Sequence, residues 1–232
     1  HYKLDHLGFT HTQQLGLGGF LDWFALGLTK MPESEAPWCS ACCYGKQVCK
    51  ADGATLTWKR PEKSGALIEG HLQPGSKIFC DQLESHVRGR LLHTAGREPE
   101  HDKFCGSTIF YDAASGYIHV EHQVTLSASD TINSKLSFER LAREMGVEIV
   151  AYHTDNGIFK AKESVHELHS NNQAIRFSGV GAKWQNGAAE NAIKIVVTRA
   201  RTMMLHVTIH WPDVDDKTLW PLAVSHAAHL YN

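Results

Sequence analysis

The stretch of sequence that decides the fold is Val-Glu-Ile-Val-Ala-Tyr-His-Thr-Asp-Asn-Gly, residues 147–157. Four of its first six residues are β-branched or aromatic, which favours a β-strand at 147–152. Asp155 comes just after this segment, and Asn156-Gly157 is a dipeptide typical of tight turns. The stretch therefore predicts a strand that presents Asp155 at its carboxyl end.

Strand-like and helix-like segments alternate on both sides of this stretch. Residues 84–103 are polar and basic, which predicts an extended loop or an irregular hairpin. The helix that follows the third strand would be capped by Ser127 or Ser129 and ended by Gly146. Strands are predicted at 77–81, 104–111, 117–124, 147–152 and 174–177, with a hairpin turn at 113–116, and helices at 127–145, 161–170, 188–206 and 217–231.

This order of segments predicts an α/β fold, with a mixed sheet flanked by helices and an antiparallel part formed by the first three strands. The order resembles the ribonuclease-H-like fold. We assign 76–232 to this core, 1–50 to a small separate module, and the polar, Gly- and Pro-punctuated stretch 51–75 to a linker.

Composition places the chain among globular proteins. It has 232 residues, of which 42% are hydrophobic, and these are ample for a sizeable core. We find neither a signal peptide nor an apolar run of membrane-spanning length, so we expect a protein of the cell interior that does not enter a membrane. The formal net charge of -2 does not favour a polyanion partner, although bound divalent ions would turn acidic groups into a phosphate-binding site.

Two pairs of residues in the first module predict a structural zinc site. His6 and His11 form the first pair, and Cys39 and Cys42 form the second. Two imidazoles and two thiolates satisfy tetrahedral zinc, and such an ion would stabilise a module too small to fold well alone. Cys43, beside Cys42, is an alternative ligand.

Three carboxylates lie in contexts that suit a catalytic metal site. Asp81 follows the apolar run at 77–80, Asp155 follows the strand at 147–152, and Glu190 opens a helix. Carboxylate oxygens are the ligands that Mg²⁺ and Mn²⁺ prefer, and two such ions can promote phosphodiester chemistry. Asp112, after another strand-like segment, is the main competitor of Asp81.

The sequence resembles the integrase of copia-type LTR retrotransposons. The most specific matches are Thr154-Asp155-Asn156-Gly157 and Asn186-Gly187-Ala188-Ala189-Glu190-Asn191, with the Cys39-Ser-Ala-Cys42 run and the leading His6 and His11 as further matches. The resemblance implies that Asp81, Asp155 and Glu190 form the catalytic triad. It covers the chain from His6 onward, and it implies that the core is truncated at its C-terminus.

The resemblance also implies an activity and its setting. It implies two catalytic Mg²⁺ or Mn²⁺ ions, one structural Zn²⁺, and 3′-end processing followed by strand transfer of element DNA into target DNA. The expected partners are double-stranded DNA and further copies of the chain, in the nucleus and, before that, in a cytoplasmic particle. Ile158-Phe159-Lys160 and Asn191 depart from the family pattern, which leaves an inactive or domesticated DNA-binding domain as the alternative.

Five residues are candidate DNA contacts. On a helical wheel, Lys194 lies one turn beyond Glu190 and Arg201 lies on the same stripe, where both could meet phosphate or simply face solvent. Lys183, Gln185 and Asn186 belong to the glycine-bearing segment 178–187, which we expect to be a mobile loop over the metal site. Trp184 could stack on a base or on its own domain, and Arg88, Arg90 and Arg97 could form another phosphate surface or only solvate their loop.

Overall fold

The computed structural model describes residues 39–47, 72–94, 97–155, 157–179 and 183–232. The predicted zinc ligands His6 and His11 lie outside these residues, as does most of the predicted linker at 51–75. Within the described part of the chain, no helix is both long enough and apolar enough to cross a lipid bilayer.

One mixed sheet contains five strands, which are β1 (Ile78–Gly89), β2 (Phe104–Asp112), β3 (Ile118–Gln123), β4 (Ala151–Thr154) and β5 (Ala174–Phe177). Their order across the sheet is β3-β2-β1-β4-β5. β1, β2 and β3 pair in an antiparallel manner, whereas β4 is parallel to β1 and β5 is parallel to β4. The prediction of a mixed sheet whose antiparallel part comes from the first three strands is therefore confirmed.

Two strand boundaries differ from the sequence prediction. β1 continues to Gly89, beyond the predicted end at 81, and its irregular pairing with β2 up to Phe104 confirms the hairpin that was one of the two alternatives for 84–103. β4 begins only at Ala151, because Val150 instead donates its N–H to the Gly75 carbonyl at 2.9 Å. Both differences come from backbone pairing with distant segments, which local side-chain patterns do not report.

Helices cover both faces of the sheet. The predicted N-cap Ser127 is confirmed, since its side chain accepts from the Asp130 N–H at the start of the helix Ala128–Glu144. The helix that carries Glu190 runs one turn further than predicted, to His210. The helices are α1 (Ser40–Gly45), α2 (Ala128–Glu144), α3 (Lys162–Ser170), α4 (Gly187–His210) and α5 (Trp220–Tyr231), with 3₁₀ turns at Glu100–Asp102, Ile158–Lys160, Lys183–Asn186, Pro212–Val214 and Lys217–Leu219.

The alternation of side chains along the strands creates two cores. One core lies under α2 and α3, where Cys80 and Phe110 are buried and the Phe110 and Phe138 rings stack with centroids 4.7 Å apart. The other lies under α4 and α5, where Ile109 and Val196 are fully buried. Because successive strand residues point to opposite faces, the residue after Cys80, Asp81, lies on the α4 side.

Candidate active site

The pairing of β1 with β4 brings two of the predicted carboxylates together. In this parallel pair, Ile78 lies opposite Tyr152 and Phe79 lies opposite His153. Continuing the same register by two residues places Asp81 beside Asp155. Both acids therefore lie side by side at the edge of the sheet where β4 ends. The segments that carry them are far apart in the sequence, since the Cys80 thiol contacts the His153 carbonyl at 3.8 Å across 73 residues.

The third carboxylate reaches this edge through the start of α4. Asn186 is 1% exposed, and its side-chain Nδ2 donates to the backbone oxygen of Cys80 at 3.3 Å. This hydrogen bond fixes the first turn of α4 against the residue that precedes Asp81. Glu190 is the acidic residue of that first turn, where the positive end of the helix dipole favours a negative charge.

Asp81 lies within electrostatic reach of both Asp155 and Glu190. The pKa of Asp81 is raised to about 6, chiefly by burial and to a smaller extent by the negative charges of Asp155 and Glu190, against the opposing effect of the Gln82 N–H. Asp81 and Asp155 also raise the pKa of the Cys80 thiol, after the larger effect of its burial. The structure therefore gathers Asp81, Asp155 and Glu190 from three separate segments.

Neighbouring backbone amides orient two of these carboxylates. The Gln82 N–H donates to Oδ1 of Asp81 at 2.8 Å, and the Gly157 N–H donates to Oδ1 of Asp155 at 2.9 Å. A Cβ atom at Gly157 would lie 2.9 Å from Oδ1 of Asp155, so a larger residue would displace the carboxylate. The turn after β4 thus needs a glycine in order to hold Asp155 in this position.

The donor set suits a hard divalent cation. Three carboxylates and no sulfur or imidazole ligand are the chemistry that Mg²⁺ and Mn²⁺ prefer. Within the described residues, however, no three His, Cys, Asp or Glu side chains are already arranged as a metal-binding group. The mutual repulsion of the acids and the lack of an arranged group are compatible, because charges interact over longer distances than a metal–ligand bond spans. The acids repel one another without already forming a closed ligand shell.

Asp112, the competitor of Asp81, belongs to a different environment. It is 5% exposed, and its Oδ1 accepts from the Gly75 N–H at 3.1 Å. Its Oδ2 accepts from the backbone N–H and the hydroxyl of Ser115 at 2.8 and 2.6 Å. These donors satisfy the carboxylate internally, so Asp112 holds the β2–β3 turn against the segment before β1.

The residues predicted to contact DNA from the 183–186 turn occupy different positions. Gln185 is half-buried, and its side-chain oxygen accepts from the Gly179 N–H at 2.8 Å. Asn186 is buried at the site, so a contact with DNA would require this turn to open. Its contact with DNA stays a prediction. The side chain of Lys183 lies outside the described residues.

The two predicted contacts on α4 also differ. Lys194 is exposed one turn beyond Glu190, and no ion pair joins the two in the part of the chain that the structure describes. Arg201, further along α4, donates from Nε to the Gly45 carbonyl at 2.6 Å and from Nη2 to the Gln47 carbonyl at 3.1 Å. Its guanidinium is therefore occupied with the end of α1, and a DNA contact by Arg201 stays a prediction.

Arg88 and Arg90 likewise bind backbone carbonyls. Arg88 donates to the carbonyls of Lys103 and Val124 at 3.3 and 2.9 Å, and Arg90 donates to that of Thr94 at 2.9 Å. Both residues thus order the connection between β1 and β2.

The cysteine pair of the predicted zinc site is packed onto α4. The Cys39 and Cys42 side chains are hydrogen-bonded, and the pKa of Cys42 is raised to about 11, chiefly by burial and against the opposing charge of Lys46. Cys43 is exposed. A Cβ atom at Gly45 would lie 2.7 Å from Cα of Thr202, so α1 approaches the α4 backbone closely at this point.

His153 is a residue near the site that the sequence analysis did not select. It lies two residues before Asp155, on the same face of β4, and its ring packs edge-on against Phe79 with centroids 5.1 Å apart. Burial lowers the pKa of His153, as does the charge of Lys77, while a hydrogen bond with the backbone of Gln185 raises it. The alternation of residues along β4 was the signal that could have identified it.

Comparison with known proteins gives structural neighbours only. No family model and no curated protein matches the chain. The HTLV-2 integrase catalytic core domain in complex with magnesium matches it at 16% identity with TM-scores of 0.45 for the dimeric form and 0.43 for the trimeric form, covering 68% of this chain and 86% or 84% of that one. The simian T-cell lymphotropic virus intasome in complex with PP2A regulatory subunit B56 gamma matches at 17% identity and a TM-score of 0.44, covering 69% of this chain and 50% of that one.

Proposed function

We propose that this chain is the zinc-binding segment and ribonuclease-H-like catalytic core of a copia-type retrotransposon integrase, which cleaves phosphodiester bonds and transfers DNA strands. The observation that carries the proposal is the position of Asp81 beside Asp155, with Glu190 in the first turn of the helix that Asn186 fastens to Cys80. Burial raises the pKa of Asp81, and the two neighbouring carboxylates add to this effect. A carboxylate held among like charges is costly to the folded protein, and such a cost is typical of a site that binds a cation.

The three acids have separate positions from which to act. Asp81 and Asp155 are held rigidly by adjacent strands and by neighbouring amides, whereas Glu190 approaches from the first turn of α4. Bound Mg²⁺ or Mn²⁺ ions would activate the attacking oxygen and stabilise the leaving oxygen. Lys194, exposed one turn further on, would bind a phosphate of the DNA held at this edge.

The proposed reaction has two displacements at phosphorus. In the first, water attacks a phosphodiester at the end of the element DNA, one P–O bond forms, and the bond to the 3′ oxygen breaks to leave a 3′-hydroxyl. In the second, that hydroxyl attacks a phosphodiester of the target and releases a new 3′-hydroxyl. Neither step requires a covalent bond to the protein.

The zinc site is the second part of the proposal. Cys39 and Cys42 would supply two thiolate ligands, and their contact at the start of α1 supports Cys42 rather than the exposed Cys43. His6 and His11 would complete the tetrahedron. Since α1 packs on α4, the zinc site would be fixed to the helix that carries Glu190.

We further propose double-stranded DNA as substrate, a homo-oligomeric assembly, and action in the nucleus after a cytoplasmic particle stage. These follow from the family resemblance of the sequence motifs.

Strand transfer by the purified chain tests the proposal. A duplex with a recessed 3′-hydroxyl and a supercoiled plasmid target are incubated with Mg²⁺ or Mn²⁺, and joined products are counted. We expect metal-dependent nicking and joining that Asp155→Asn abolishes and that Asp213→Asn, at an exposed acid of the 3₁₀ turn after α4, leaves intact. Equal activity in Asp155→Asn would contradict the assignment.

A non-enzymatic DNA-binding domain is the second candidate. The departures of Ile158-Phe159-Lys160 and Asn191 from the family pattern favour it, as does the absence, among the described residues, of an arranged metal-binding group. In that case the wild-type chain would bind duplex DNA but show no metal-dependent joining, and Asp155→Asn would bind DNA unchanged.

A further inference from the structure

Two histidines lie against each other at the end of α4, far along the helix from Glu190. His206 and His210 are one turn apart, and their ring centroids are separated by 4.3 Å with an interplanar angle of 43°. His206 is half-buried and His210 is exposed. Residues at i and i+4 share a helix face, so the helix itself fixes this contact.

A pair of imidazoles at this spacing is a chelating arrangement. A zinc–nitrogen bond is about 2.0–2.1 Å long, so two ring nitrogens bind one ion when they are about 3–4 Å apart. Rings whose centroids are 4.3 Å apart can supply nitrogens at that separation. Imidazole favours Zn²⁺, Ni²⁺ and Cu²⁺, whereas the carboxylates at the other end of α4 favour Mg²⁺ and Mn²⁺.

The local electrostatics also favour a cation. α4 is 24 residues long and ends at His210, so the negative end of its dipole lies at this pair. Burial lowers the pKa of His206, and the adjacent His210 lowers it further. Both effects favour the neutral imidazole, which is the form that binds metal.

We propose that His206 and His210 form a metal site for a borderline transition-metal ion such as Zn²⁺ or Ni²⁺, separate from the carboxylate triad and from Cys39 and Cys42. No third His, Cys, Asp or Glu side chain of the described residues joins the pair. The ion therefore keeps coordination positions for water or for a ligand from another molecule. Its binding connects the last two turns of α4 and stabilises the end of that helix.

Trp211 provides a reporter for this site. Its ring lies 5.6 Å from that of His206 and 5.9 Å from that of His210, so a paramagnetic ion held by the pair would quench its fluorescence. The full chain, first loaded with one equivalent of Zn²⁺ to occupy Cys39 and Cys42, is titrated with Ni²⁺ while fluorescence and heat are recorded. We expect saturable binding of one Ni²⁺ accompanied by quenching.

Substitutions separate this site from the others. His210→Gln, at an exposed position, should fold normally and weaken Ni²⁺ binding at least about tenfold, since loss of a ligand exceeds the effect of losing a supporting contact. Trp211→Phe should lose most of the quenching but keep the heat of binding. His166→Gln, at an exposed histidine of α3, and Asp81→Asn should both bind Ni²⁺ as the wild type does.

Ni²⁺ binding by the histidine variants either supports or overturns the proposal. Loss of the saturable Ni²⁺ site in both His210→Gln and His206→Gln, with retention in His166→Gln, supports it. An unchanged Ni²⁺ stoichiometry and affinity in His210→Gln overturns it, as does quenching by the wild type that never saturates.

Discussion

Asp81 and Asp112 lie close together on the β1–β2 pair, yet their surroundings differ in kind. In the ladder, Asp112 is opposite Ile78 and Asp81 is opposite Ile109, and the two carboxylates face opposite sides of the sheet. Asp112 accepts three hydrogen bonds from Gly75 and Ser115. Asp81 accepts one from the adjacent Gln82 N–H and faces two further negative charges.

This difference shows how a structural carboxylate is distinguished from a candidate metal ligand. Burial alone does not do so, because Asp112 is the more buried of the two. What distinguishes them is compensation: donors within the fold satisfy Asp112, while the neighbours of Asp81 are carboxylates that disfavour its ionised form. A cation would provide the compensation that the protein itself does not.

The largest expected effect is on activity. Asp81→Asn should reduce strand transfer by more than about a hundredfold, since the loss of a ligand exceeds the 10–100-fold cost of losing a supporting contact. Asp112→Asn should retain joining activity at temperatures where it is folded. Joining is measured by the plasmid assay with folding checked by circular dichroism, and equal losses in both variants would remove the distinction between the two acids.

The second expected effect is on stability, where substitution of Asp112 should cost more than substitution of Asp81. Asp112→Ala leaves the buried N–H groups of Gly75 and Ser115 without their acceptor, and we expect the free energy of unfolding to fall by about 3 kcal/mol. Urea unfolding at neutral pH measures this change. A loss below about 1 kcal/mol would mean that solvent replaces Asp112 in these hydrogen bonds.

The third effect concerns the pH dependence of Asp81. Because the pKa of Asp81 is raised from 3.8 to about 6 in the folded protein, its protonated form contributes stability that is fully present below pH 3.8 and is lost as the pH rises through 6. Without divalent ions, Asp81→Asn should therefore be more stable than the wild type above pH 6, by about 1–2 kcal/mol after allowance for solvent screening.

Urea unfolding of both proteins from pH 4 to 8 checks this prediction. The difference between them should grow between pH 4 and 6 and then level off. A wild type that stays equally or more stable than Asp81→Asn at pH 7.5 in the absence of metal would show that Asp81 has an internal partner, as Asp112 does.

The smallest effect tests the turn that positions Asp155. Gly157→Ala introduces a methyl group 2.9 Å from Oδ1 of Asp155, and we expect about a tenfold loss of joining activity with less than about 1 kcal/mol change in unfolding free energy. Gly187→Ala is the matched control, since a Cβ there would have no neighbour within 4 Å outside its own helix. Equal activities of the two variants would mean that the methyl group at 157 does not displace the Asp155 carboxylate.

Much of the fold followed from local patterns. The hairpin strands, β5 and the Ser127 cap were predictable because alternation, turn residues and capping act over a few neighbouring residues. The extension of β1 to Gly89 and the late start of β4 were not, because each depends on a partner segment far away in the sequence. The gathering of Asp81 with Asp155 could be anticipated only from the family resemblance and from the position of Asp155 just after a strand, since Asp81 lies within β1 and not at its end.

The surroundings of the site were harder to predict. Asn186 and Arg201 were expected to bind DNA, because amides and guanidinium groups near a catalytic acid suit phosphate and base contacts. The structure shows that Asn186 binds the Cys80 carbonyl and that Arg201 binds the end of α1. A polar residue forms the same pattern in sequence whether its partner is a ligand or a backbone carbonyl, so packing decides which one it meets.

Metal-dependent thermal unfolding tests the central claim most directly. The wild type, Asp81→Asn and Asp112→Asn are unfolded at pH 7.5 with EDTA and with increasing Mg²⁺ or Mn²⁺, since an ion that binds only the folded state raises the midpoint as its concentration increases. We predict a rise for the wild type and Asp112→Asn and none for Asp81→Asn. An equal rise in all three proteins, or no rise in the wild type, would contradict the claim that Asp81, Asp155 and Glu190 form a metal site.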